Sequence, residues 1–137
     1  MSTRSSISVE ISEGQSLCVY CHWDGYPSHN GRILLNHYNT QELAEALVRI
    51  GDISVLDASI EKPEGHTFDN RVKGYTTFYG RDRGEIDCVC KGQPTFERHN
   101  EMWQEWNYQF KDGKWYANPS NDDEWEELTE EYITQHD

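Results

Sequence analysis

WNYQFKDGKWYAN, residues 106–118, contains the strongest local fold signal in the chain. Two aromatic-rich runs flank Asp112-Gly113, and Asp-Gly between such runs favours the tight primed turn whose twist matches paired strands. The spacing predicts a β-hairpin. A second hairpin is predicted at the N-terminus. Residues 6–11 (SISVEI) and 17–23 (LCVYCHW) alternate polar and apolar side chains, and the link between them contains Gly14. Helical patterns lie between the hairpins, so the fold class expected is α+β. At 137 residues the chain is about one domain, with antiparallel hairpins forming a sheet against packed helices.

Outward from the hairpins, Asp24-Gly25-Tyr26-Pro27-Ser28-His29-Asn30-Gly31 is turn-forming. A helix is predicted from about Gly31, carrying Ile33, Leu34, Leu35 and Tyr38. Another should follow Asn39, with Glu42 as capping partner, Leu43, Ala44, Ala46, Leu47 and Ile50 on one face, and Gly51 as its stop. Residues 61–74 read as a long polar loop. Strands are expected at 75–79 and 86–90, around a charged turn over 80–85, and a short helix over 95–104 carrying Phe96, His99 and Trp103. From about Ser120 to Ile133 a closing amphipathic helix is predicted. It would bury Trp125, Leu128 and Tyr132 and present Asp122, Asp123, Glu126, Glu127, Glu130 and Glu131 in rows on its outer face. Glu130 and Glu131 would then sit at the unfavourable end of the helix dipole.

Charge narrows the function. The formal net charge is −13, from 25 acids and 12 bases. Residues 97–137 carry 12 of the acids and three of the bases. Such a field repels nucleic acid and anionic membranes and favours basic partners, including proteins that themselves bind nucleic acid. The N-terminus MSTRSSISVEISEG has no apolar run of the signal-peptide kind, so the cytoplasm is the expected compartment, with reduced cysteines. Apolar residues are few, at 35%, but five Trp and eight Tyr supply large buried area per residue.

Three constellations could carry chemistry. His22 and Asp24, with His37, could form an acid–base set, or His22 could be a structural histidine beside a turn. Trp23, Tyr26, Arg81, Asp82, Arg83 and Glu85 could bind an anionic ligand such as a nucleotide, because arginine forks suit phosphate and carboxylate. Equally, the two arginines could serve an internal network with Asp82, Glu85 or Asp24. The six tail acids could be a docking face for a basic surface, such as a DNA-mimic face, or only a solvated face. Cys18, Cys21, Cys88 and Cys90 with His22 resemble a zinc set on paper. Residues three apart on a strand point to opposite faces, however, so no metal is expected, and no cofactor. Standard nucleotide-loop, dinucleotide, zinc-protease and hydrolase motifs do not occur.

Ser2-Thr3-Arg4-Ser5, YCHWDGYP (20–27), Leu34-Leu35-x-His37-Tyr38, Gly51-Asp52-Ile53-Ser54, His66-x-Phe68-Asp69 and YGRDRGE (79–85) give residues 2–85 a resemblance. They look like an uncharacterised family of small proteins found in bacteriophages, prophages and bacteria. The acidic tail, Cys18, Cys88 and Cys90 lie outside the shared pattern. The family has no established activity and transfers no catalytic residue. The resemblance implies a mobile-element context. By analogy with small acidic phage proteins, it suggests inhibition of a host nucleic-acid-directed defence, with the host cytoplasm as the place of action. A small hydrolase or transferase using His22, Asp24 and His37 is the remaining alternative.

Overall fold

The computed structural model describes residues 3–97 and 104–136. The two predicted hairpins are present: β1 (Ser5–Ser12) with β2 (Gln15–Cys21), and β6 (Trp106–Lys111) with β7 (Lys114–Pro119). Asp112 and Gly113 both have positive φ, 53° and 80°, as the primed turn requires. Parallel pairing of β1 with β6, from Ser5↔Trp106 to Val9↔Phe110, joins the hairpins into one sheet. Beyond β2 lie β3 (Ile53–Val55) and β4 (Thr77–Phe78); beyond β7 lies β8 (Glu126–Glu127). The order is β4-β3-β2-β1-β6-β7-β8. β5 (Lys91–Pro94) pairs with the Gln15–Cys18 part of β2, while Cys21 pairs with β3.

The alternation read from the sequence separates the two faces of this sheet. Ile7, Val9, Val19, Cys21, Tyr108, Phe110, Trp115 and Ala117 form an apolar face. Leu34 and Tyr38 from α1 (Arg32–His37) and its end belong to the same core, with Ala44, Leu47 and Val48 from α2 (Gln41–Ile50). Burying each large apolar side chain contributes roughly 1.5–3 kcal/mol. Thr40, not Asn39, caps α2, its Oγ1 accepting from Leu43 N, and Gly51 ends it with φ 127°. That start places Val48 inside and leaves Leu43 exposed, a rotation of the face predicted from the sequence. The opposite face is also buried, but polar. Ser6 Oγ donates to Asn107 Oδ1 at 2.8 Å, Ser8 Oγ to Gln109 Oε1 at 2.9 Å, and Asn107 Nδ2 to Asn118 Oδ1 at 3.2 Å. Paired side chains offset the desolvation that a lone buried amide would suffer.

Four expectations need correction. Residues 80–85 are not a hairpin tip but mostly a one-turn helix, α3 (Tyr79–Arg83), stopped by left-handed Gly84. Residues 86–90 do not form a strand; Ile86 is 83% exposed, and pairing begins only at Lys91. The strand expected at 75–79 shrinks to Thr77–Phe78. The largest correction is the tail. Residues 120–125 are turn and irregular chain, Glu126–Glu127 pair with β7, and only α4 (Glu130–Gln135) is helical. Asn118 Nδ2 donates to Asp122 O at 3.0 Å and Glu124 O at 2.5 Å, holding those carbonyls out of a helix. Thr129 is the real N-cap, accepting from Tyr132 N at 3.1 Å. Of the helix expected over 95–104, Thr95–Phe96 form a turn, and His99 and Trp103 lie outside the described residues. No helix among the described residues is long and apolar enough to cross a membrane.

Candidate functional site: a cleft at one sheet edge and carboxylates at the other

The turn after β2 is fixed on several sides. Gly25 N donates to Thr3 O at 2.7 Å, and Tyr108 Oη donates to Gly25 O at 2.6 Å. A Cβ on Gly25 would meet Ser5 Cβ and Thr3 O at 2.8 Å, so only glycine fits this approach. Trp23 N donates to Ser54 O at 3.1 Å, which ties the turn to β3. Asp24 takes a left-handed φ of 57°. The clamp leaves Trp23 42% exposed, large for an indole and available for contact.

Trp23 and Asp24 form one wall of an open cleft of about 580 Å³. Its other lining residues are Ser54, Val55, Phe68, Asp69 and Arg71. A smaller groove of about 390 Å³ adjoins it, sharing Val55, Asp69 and Arg71 and running along residues 69–75. The Phe68 ring lies 5.5 Å from the Tyr79 ring, with the Arg83 guanidinium 4.6 Å from its centroid. Segments 20–27, 51–54, 66–69 and 79–85, which stand out in the sequence, therefore meet around this edge of the sheet. Phe68, Asp69 and Arg71 were missed as site residues because they sit in what reads as a polar loop. An isolated Phe within that loop was the available signal.

One buried carboxylate holds the loop in place. The Asp82 side chain is fully enclosed. Its oxygens accept from Phe78 N at 2.8 Å and from Arg81 Nε at 3.0 Å, with Lys62 Nζ at 3.3 Å and His66 Nε2 at 3.6 Å. Burial alone would raise its pKa, but the Arg81 and Phe78 bonds outweigh burial and hold it below the ordinary carboxylate value. Arg81 also donates to Ile60 O and Thr76 O. The structure thus turns Arg81 and Asp82 inward as anchors, away from the ligand-binding role considered from sequence. Arg83 and Glu85 stay near the surface, 3.9 Å from each other. Tyr26 donates weakly to Asp24 Oδ1 at 3.4 Å.

The acid–base set does not assemble. His22 Nδ1 meets Tyr20 Oη at 2.5 Å, and the His22 pKa is lowered, chiefly by burial and further by Arg4. No hydrogen bond or ion pair among the described residues joins His22, Asp24 and His37, and His37 is exposed in the last turn of α1. Cys18 and Cys21 lie on opposite faces of β2, and burial pushes both thiols up to about 12, so neither is a ready nucleophile. Among the described residues no three His, Cys, Asp or Glu side chains are grouped to hold a metal.

The acidic residues lie at the far edge, beyond β7. Asp122, Asp123, Glu124, Glu126, Glu127, Glu130 and Glu131 are all exposed, though not in helical rows. Leu128, Tyr132 and Ile133 anchor the segment in the core, while Trp125 is half-buried against Phe96. Glu127 reaches Lys114 at 3.5 Å and Glu130 reaches Arg32 at 3.3 Å, both exposed pairs. Because α4 begins at Glu130, Glu130 and Glu131 occupy its first turn, the favourable end of the dipole and the reverse of the sequence expectation.

Comparison with models of known families, with curated proteins and with solved structures finds no match for this chain.

Proposed function

We propose that the chain is a binding protein that docks on and blocks a basic protein surface, as an accessory protein of the phage type. Its target would be a host protein that itself handles nucleic acid, such as a component of a nucleic-acid-directed defence. The observation that carries this reading is the acidic edge: seven exposed carboxylates between Asp122 and Glu131, on a segment anchored by buried Leu128, Tyr132 and Ile133. Charges held on an anchored frame present a fixed pattern to a partner, and complementary fields speed encounter and select against acidic competitors. Buried thiols and an unassembled His22, Asp24 and His37 set support binding over catalysis. The test is capture of host proteins on the immobilised chain at rising salt. A specific basic partner should elute as ionic strength screens the contact, and E126K/E127K/E130K/E131K should fail to retain it. Retention by that variant with unchanged inhibition would overturn the reading.

A further inference from the structure

We propose that the cleft between Trp23 and Phe68 seats an arginine side chain, presented by an extended basic segment of the partner. This deepens and rests on the basic-partner reading, but the site lies at the opposite sheet edge from the acidic tail.

Charge first separates the possible ligands. The cleft brings Asp24 and Asp69 together against Arg71 alone, within a chain of net charge −13. Asp69 makes no hydrogen bond or ion pair among the described residues, and Asp24 Oδ2 is likewise unengaged. Of the neighbouring arginines, Arg81 is committed to Asp82 and backbone carbonyls, while Arg83 lies over the Phe68 ring of the cleft wall, 3.9 Å from Glu85. A nucleotide would enter against the overall field of the chain, whereas a cation enters with it.

The walls then separate the cations. A guanidinium is planar and weakly hydrated, stacks on an indole, and offers forked donors to carboxylates. The exposed Trp23 indole and the two aspartates supply both contacts. An ammonium would keep more of its hydration and lose the stacking. The adjoining groove along 69–75 gives a path for the flanking chain of a peptide, lined by Asn70, Arg71 and Lys73 as donors to its carbonyls.

The experiment uses the full chain, isotope-labelled, titrated with the capped peptide Gly-Gly-Arg-Gly-Gly, its citrulline counterpart, and AMP. The arginine peptide should shift the Trp23 indole and the Asp69 and Arg71 amides, and citrulline should not. Trp23→Ala and Asp69→Asn should each weaken binding about tenfold, while Trp23→Phe retains much of it. E126Q/E127Q/E130Q/E131Q should bind the peptide like the unaltered chain, so loss of partner capture in that variant would report on the acidic edge alone. If Trp23→Ala unfolds, Asp69→Asn, a change at an exposed site, still decides. Equal shifts with citrulline, shifts confined to 122–131, preferential binding of AMP, or no response would each overturn the proposal.

Discussion

The two edges of the sheet handle charge in opposite ways. At the β3–β4 edge a single carboxylate, Asp82, is enclosed and bonded to Phe78 N–H and Arg81, with Lys62 and His66 close by. At the β7–β8 edge seven carboxylates stand in water, and apolar Leu128, Tyr132 and Ile133 hold the chain. Enclosed charge fixes geometry, because each bond replaces lost hydration and none can be dropped cheaply. Exposed charge contributes little to the fold and sets long-range field instead. The cleft depends on the first arrangement, and the proposed docking edge uses the second.

The comparison breaks most visibly at Asp82. Asp82→Ala strands Arg81 and Phe78 N–H, and should cost about 3–5 kcal/mol in chemical denaturation, with loss of peptide binding at the cleft. Gly25→Ala should come next. Its methyl must displace backbone at Thr3 and Arg4, costing about 1–3 kcal/mol by the same measurement and shifting Trp23 resonances.

Acid should separate the edges further. The folded-state pKa of Asp82 is depressed, so its contribution is full above the unfolded carboxylate value of about 3.9 and fades as pH falls through the lower folded value. His22 adds a smaller loss that begins at about pH 6.5, because its depressed value makes the unfolded chain the better proton acceptor. Melting from pH 7 down to pH 3 should therefore show falling stability, and Asp82→Asn should flatten its acid limb. The smallest effect belongs to E126K/E127K/E130K/E131K. It loses two exposed ion pairs and the first-turn dipole contact, so stability should fall by about 1 kcal/mol in total, while the pI rises sharply. A stability gain in that variant would mean that self-repulsion dominates the edge.

Local chemistry explains which parts were legible. Asp112-Gly113 and Gly14 imposed positive φ where hairpins need it, and alternating side chains set the faces. Gly51 stopped α2 as read. The tail misled because carboxylates at helical spacing fit a wheel whatever the backbone does. Asn118, reaching forward to two carbonyls, and Thr129, capping later, decided the outcome. The turn at 80–85 misled because Asp82 reaches back to Phe78 N–H, a contact that closes a helical turn between two glycines. The cleft was half legible. Trp23 and Asp24 stood out, but their meeting with Phe68 and Arg71 spans more than 40 positions, and no local pattern encodes it.

The parallel pairing of β1 with β6 has a consequence for the order of folding. β1 is an interior strand, yet its second neighbour lies about 100 positions later in the chain, as the Ser6–Asn107 and Ser8–Gln109 bonds measure. An N-terminal hairpin emerging during synthesis therefore waits with an open flank until residues 106–110 arrive. Closing so long a loop before any contact rewards it is slow, and a waiting strand flank is the place where two nascent copies could pair. Ser6 and Ser8 on that flank match the Asn107 and Gln109 side chains of β6, and an apolar strand in that place would leave those two bonds unmade. The polar ladder thus favours the native register when this late pairing forms.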